Sequence, residues 1–99
     1  QNQVKQIEQQ LLVELTPYQS DSLVKEIRVK GAIGVIELHE LIWEEMAWLP
    51  KFIVDQGVWI RPFKNLIYIM PPYIIQPNEL SQLTSAMGKI LIELNNKNS

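Results

Sequence analysis

The sequence predicts a small α+β domain in which an antiparallel or mixed sheet is covered by helices. Three observations carry that prediction. Helix-period apolar stripes stand at both ends of the chain, β-rich runs lie between them, and proline and glycine punctuate the joins. With 99 residues the chain holds one domain, 1–99, at most.

The first element is a helix over 2–15. Val4, Ile7, Leu11 and Leu12, then Leu15, follow helical spacing among Gln and Glu, which gives an amphipathic helix with one face on a partner. Thr16-Pro17 ends it, because a residue before proline avoids the helical region. Residues 18–24 carry Gln, Ser and Asp and read as a loop or short turn.

Ile27, Val29 and Ala32 to Leu38 have strand character, interrupted by Gly31 and Gly34. A glycine inside a strand marks a bulge or a close backbone approach, so this stretch is one kinked strand or two short pieces. Over 40–56 a helical period contains Pro50. The least costly arrangement starts a helix near Leu49, with Pro50 in its first turn, and ends it near Gln56 with Gly57 as a left-handed stop. Leu41 to Trp48 forms a separate short helical turn.

Val58–Phe63 and Leu66–Met70 are β-rich runs joined by Lys64-Asn65, which suggests a hairpin. Pro71-Pro72 ends the second run. Pro77 and Glu79 then open a closing helix whose stripe is Leu80, Leu83, Met87, Ile90, Leu91 and Leu94. Asn95 to Ser99 reads as a polar, frayed tail.

Composition narrows the function. Hydrophobic residues make up 46% and charged residues 20%, a globular balance. The net charge of −2 is well mixed and shows no basic stripe, so no nucleic-acid partner is expected. The absence of cysteine excludes disulfides, thiolate metal sites and a cysteine nucleophile. The longest apolar run, Leu66 to Ile75, is about half a membrane span and holds two prolines, so no membrane span is expected. The chain starts at Gln1 without an initiator Met and without a basic-then-apolar leader, so it reads as a truncated or processed piece with nothing to mark it as secreted, and a cytoplasmic location is expected.

Catalytic patterns fail quickly. Gly31-Ala-Ile-Gly34 has the wrong spacing for a dinucleotide loop, and His39-Glu40 lacks the second histidine of a zinc helix. No metal site and no catalytic residue is expected, and His39 reads as a strand-end or surface residue. Glu44 and Glu45 are adjacent, so they diverge on a helix and read as a solvated face.

One segment stands out. Arg61 is the only charge between Asp55 and Lys64, amid Trp59, Ile60, Pro62 and Phe63. Period-two alternation puts Trp59 and Arg61 on one face, Val58 and Ile60 on the other. A guanidinium among apolar and aromatic groups needs an anionic partner, and its planar fork suits a carboxylate. That partner is either internal, Glu37 or Asp55, or the carboxylate of a ligand; an edge-strand arginine can also reach solvent.

Gly57-Val-Trp-Ile-Arg-Pro-Phe63 with Leu66-Ile-Tyr-Ile-Met-Pro-Pro-Tyr-Ile-Ile75 resembles the C-terminal part of the adenosylmethionine-8-amino-7-oxononanoate aminotransferase family. Arg28-Val-Lys-Gly-Ala-Ile-Gly-Val-Ile-Glu37 and Gln76-Pro-Asn-Glu-Leu80 resemble the same family's preceding strand and closing helix, so the likeness runs over essentially the whole chain. The resemblance implies the small domain of a fold-type I, pyridoxal-phosphate transaminase that works as a homodimer. It implies transfer of an amino group from S-adenosylmethionine to 8-amino-7-oxononanoate, a small-molecule substrate of biotin biosynthesis. It makes Arg61 the substrate-carboxylate arginine and Tyr68 a second residue lining that cleft. The Schiff-base lysine and phosphate loop belong to an upstream large domain, so this piece alone is expected to bind no pyridoxal phosphate and to be inactive. Two departures bear on the site: Lys64-Asn65 stand where the family's turn carries a glycine, and the 38–50 region is longer. The alternative is a stand-alone α+β binding or interaction domain that holds an acidic ligand through Arg61.

Overall fold

The computed structural model describes residues 2–39, 48–56 and 59–98. The expectations for Gly57, Val58, Glu44, Glu45 and a helical turn from Leu41 lie largely outside them. Chain order is α1 (Asn2–Leu15), a short 3-10 helix (Thr16–Ser20), β1 (Val24–Lys30), β2 (Ile33–Leu38), α2 (Leu49–Gln56), β3 (Ile60–Phe63), β4 (Leu66–Ile69) and α3 (Pro77–Asn98).

The strands form one four-stranded sheet in the order β1-β2-β4-β3, and every pairing is antiparallel. This resolves the antiparallel-or-mixed alternative. Residues 24–38 are two strands, and the turn between them is made by Gly31, whose φ of 58° suits glycine. Gly31 is thus a turn residue and makes no bulge. The bulge falls instead at Lys25, where Val24 and Glu26 face the consecutive residues Leu38 and Glu37. Gly34 answers the other expectation, a close approach. A Cβ there would stand 2.8 Å from Leu15 Cδ1 and 3.1 Å from Ile69 Cγ2.

The two faces of the sheet differ. Gly34, Ile36, Leu38, Ile60, Ile67 and Ile69 point inward and are buried. They share one core with Ile7, Leu11 and Leu15 of α1, Leu49 and Ile53 of α2, and Leu80, Met87, Ile90, Leu91 and Leu94 of α3. Full burial of each large aliphatic side chain is worth about 1.5–3 kcal/mol, so this seam holds the three helices to one side of the sheet. The opposite face carries Ile33, Trp59, Phe63 and Met70, all exposed.

Ends and joins follow local chemistry. Pro50 occupies the first turn of α2, where its missing N–H is harmless. Glu79 accepts a hydrogen bond from the Gln76 backbone N–H at 2.9 Å, half of a capping box that starts α3. Of the loop-or-short-turn alternatives after α1 the chain takes a short turn, the 3-10 helix Thr16–Ser20, and one expectation needs correction: α3 continues to Asn98 rather than fraying from Asn95. Asn95 is tied down: its amide donates to both oxygens of Asp21, at 3.3 and 3.1 Å, and to the Leu91 carbonyl at 2.9 Å. These bonds tie the last turns of α3 to the segment before β1.

Candidate functional site: an exposed arginine on the open sheet face

Register builds the site. Arg61 on β3 stands opposite Tyr68 on β4, Tyr68 opposite Val35 on β2, and Val35 opposite Arg28 on β1. These four side chains therefore form a row across the open face, because partners in adjacent strands share a face. Met70 donates its backbone N–H to the Trp59 carbonyl at 3.1 Å, which extends the ladder by one pair and brings Trp59 and Met70 beside Arg61. Trp59, Arg61, Tyr68 and Met70 line a shallow cleft of about 250 Å³. Arg61 is exposed and Tyr68 half-buried. The structure thus brings the two sequence-derived site residues into one cleft, with the expected Trp59–Arg61 face.

The strands that carry them are suited to the task. β3 is an edge strand, so Pro62 interrupts no ladder with a further neighbour. β4 is central, and Ile67 and Ile69 anchor it in the core on the other side. The turn between them places Lys64 at φ 56°, so the lysine rather than Asn65 takes the left-handed conformation. Asn65 does something else. Its side-chain amide donates to the Leu38 carbonyl at 2.8 Å while its carbonyl accepts the Leu38 N–H at 2.8 Å, so the turn is clipped to the end of β2.

Arg61 has no internal carboxylate among the described residues. Its one hydrogen bond there is from Nη1 to the adjacent Ile60 carbonyl, at 3.2 Å. Both internal partners weighed from the sequence are taken. Asp55 accepts from Lys51 at 3.1 Å along α2. Glu37 accepts from Arg28 at 2.6 Å, lies 3.8 Å from Lys25 and is approached by the Asn65 amide at 3.5 Å. Arg28 also contacts Glu26 at 3.0 Å. The Arg28 hydrogen bond holds the Glu37 carboxyl below the usual carboxylate range, and the same bond raises the Arg28 guanidinium.

This charge cluster was not singled out from the sequence. Its signal lay in the turn: with Gly31 and Ala32 between the strands, Arg28 and Glu37 become diagonal neighbours on one face. A second polar group also escaped notice. The Glu14 carboxylate accepts from Ser81 at 2.6 Å and Thr84 at 2.7 Å, and the Tyr18 hydroxyl donates to the Thr84 carbonyl at 2.9 Å. Burial, then the Glu14 charge, raises the Tyr18 phenol. These bonds join α1 to α3 inside the helical layer.

No metal-ligating cluster is present among the described residues, and no helix there is long and apolar enough to cross a membrane. His39 is exposed just past β2. Every lysine whose side chain is described is exposed, which does not fit the desolvated pocket of a Schiff-base lysine.

Relatives agree with this architecture. A family model for class-III aminotransferases matches residues 1–91. The adenosylmethionine-8-amino-7-oxononanoate aminotransferase of Buchnera aphidicola subsp. Acyrthosiphon pisum is 49% identical over 89 residues, which cover 90% of this chain and 20% of that protein. The enzyme of the same name from Corynebacterium glutamicum is 45% identical over 87 residues, 88% of this chain and 20% of its own length. Among solved structures, a transaminase with L-alanine superposes with a TM-score of 0.83 at 21% identity, over 98% of this chain and 25% of that one. The adenosylmethionine-8-amino-7-oxononanoate aminotransferase of Methanocaldococcus jannaschii gives 0.75 at 21% identity, over 93% and 24%. The chain spans about one fifth of the length of the curated relatives it matches. With the family model running from α1 into α3 and transaminase structures sharing the sheet and its helices, the chain belongs to the class-III aminotransferase family.

Proposed function

We propose that residues 1–99 are the closing small domain of a pyridoxal-phosphate transaminase that moves an amino group from S-adenosylmethionine to 8-amino-7-oxononanoate in biotin biosynthesis. The names of the Buchnera and Corynebacterium relatives support that substrate pair. In the complete, cytoplasmic, homodimeric enzyme a large domain supplies the cofactor site. Pyridoxal phosphate there carries the amino group between donor and acceptor. The exposed lysines of this chain give no cradle for the cofactor, so the piece alone is inactive.

What this chain contributes is binding and orientation. Arg61 grips the acceptor's carboxylate through a two-point charged hydrogen bond, and Tyr68 flanks it in the same cleft. One observation carries the reading: the Arg61 guanidinium lies on an open face with only a neighbouring carbonyl for company among the described residues. Holding the acceptor at its far end fixes the distance from its ketone to the chemistry. Exposed Trp59, Phe63 and Met70 around it are the surface that the large domain covers. The family match favours this reading over a stand-alone acidic-ligand module.

The test is Arg61→Ala in the complete aminotransferase. KM for 8-amino-7-oxononanoate is expected to rise about 10- to 100-fold, the loss of one charged hydrogen-bond pair. Cofactor absorbance stays intact. Unchanged kinetics with both substrates overturns the assignment.

A further inference from the structure

The open face holds two carboxylates opposite each other, Glu26 on β1 and Glu37 on β2. Glu37 is the one nearer Arg61. It stands opposite Leu66, next along β2 from the row that contains Tyr68 and Arg61. β2 and β3 are two strand spacings apart, about 10 Å, and Glu37 and Arg61 are offset by two residues, about 7 Å, along the strands, so their Cα atoms are about 12 Å apart. An arginine and a glutamate reaching toward each other can span much of that gap. A free Glu37 would therefore compete with any anionic ligand for Arg61, directly or through the field of an unshielded charge.

The structure removes that competitor. Arg28 binds Glu37 at 2.6 Å, the bulge at Lys25 brings a second cation within 3.8 Å, and Asn65 donates at 3.5 Å. Glu26 is drawn to the same Arg28, at 3.0 Å. Glu37 is thus engaged at one oxygen by Arg28 of β1 and at the other by Lys25 and the Asn65 amide, and Glu26 is engaged by Arg28. We infer that Arg28 is a positioning residue for ligand binding: by engaging Glu37 it keeps that carboxylate off Arg61, which stays open to a ligand carboxylate. The inference rests on the reading of Arg61 as the carboxylate-binding group, and it adds a distant residue that sets the electrostatics of that site. Arg28 itself touches no ligand. Its cost of removal comes from the carboxylate it leaves behind, not from a lost contact.

The experiment is a charge cycle in the complete aminotransferase, with 8-amino-7-oxononanoate and its methyl ester as acceptors. Arg28→Met is expected to raise KM for the acid about three- to tenfold, the effect of one uncompensated charge at this range. KM for the ester and kcat with either acceptor stay within about twofold. Adding Glu37→Gln to Arg28→Met returns KM for the acid to within about twofold of the parent, and Glu37→Gln alone does not raise it. An unmoved KM in Arg28→Met, an equal rise for the ester, or a double variant without rescue overturns the inference. If Arg28→Met accumulates poorly, Arg28→Gln with and without Glu37→Gln supplies the same comparison. Arg61→Ala separates the two levels. If it raises KM for the acid and Arg28→Met does not, only the positioning role falls; if Arg61→Ala has no effect, both fall.

Discussion

Two arginines sit at opposite edges of one sheet face, three strand spacings apart, in a single cross-strand row, and their surroundings could hardly differ more. Arg28 on β1 is clasped by Glu26 and Glu37. Arg61 on β3 meets the Ile60 carbonyl and otherwise faces Trp59, Tyr68 and Met70. The same side chain on the same face is paired with carboxylates at one edge and is the proposed ligand-binding group at the other. Residue type does not separate them; the placement of carboxylates does. The β1–β2 hairpin carries the carboxylates Glu26 and Glu37 among its cations, and the β3–β4 hairpin carries no carboxylate on its open side, where its residues are Arg61, Phe63, Leu66 and Tyr68.

Breaking the Arg61 side of this contrast should have the largest consequence, the 10- to 100-fold rise in KM expected for Arg61→Ala. Arg61→Lys sharpens it. A lysine keeps the charge but loses the planar fork, so KM should recover only part of the way, to about 3- to 10-fold above the parent. Full recovery would mean that charge alone does the work.

The core beneath the row offers a control. Gly34→Ala would press a methyl group against Leu15 and Ile69 and should lower stability by about 1–3 kcal/mol, read as a fall in thermal midpoint. Neither arginine touches this position. KM at permissive temperature should therefore hold; a selective rise in acceptor KM would show that the open face depends on core packing.

A smaller effect is expected at the β3–β4 turn. Lys64→Gly relieves a left-handed lysine, a gain of about 1 kcal/mol, partly offset by the greater freedom of glycine in the unfolded chain. Thermal unfolding should show a slight rise or no change, and KM should not move, because the clip through Asn65 to Leu38 is retained. A loss of stability would mean that the Lys64 ammonium, 5.5 Å from the Phe63 ring centroid, matters more than the backbone strain.

The smallest effect belongs to acid. The Glu37 carboxyl titrates below its ordinary value near 4.5, so its pairing with Arg28 stabilises the fold above that pH and loses its contribution as pH falls through the lowered value. The difference in thermal midpoint between the parent and Glu37→Gln should shrink as pH falls from about 6 to about 3. Both groups lie near solvent, so salt should shrink it too. A difference that grows with acid would contradict the pairing.

Much of the fold was legible in the chain because its signals are local. The stripe from Ile7 to Leu15, Pro50 in a first turn and Pro77 with Glu79 each specify an element through nearest-neighbour chemistry. Arg61 was legible as well, since an isolated guanidinium in an apolar run is conspicuous without any structure. The β1–β2 hairpin was only half legible, because a single glycine serves equally in a bulge, a close approach or a turn. Gly31 and Gly34 turned out to hold two of those three roles. Asn95 was read as tail because its partner, Asp21, is 74 residues away.

The sequence by itself thus determined the α+β class, the extents of α1 and α2, the start of α3 and the β3–β4 hairpin, and it singled out Arg61 as the isolated charge of an apolar run. Only the tertiary structure decided that Arg61 is left without an internal carboxylate among the described residues. That outcome hangs on the register of three strand pairings, and on a one-residue bulge that brings Lys25 beside Glu37. Register is set by which faces the core buries, and a slip of one residue would send these side chains to the other face. Helix stripes and proline stops are fixed over a few bonds along the chain; which carboxylate finds which arginine is fixed by contacts that exist only once the sheet has formed.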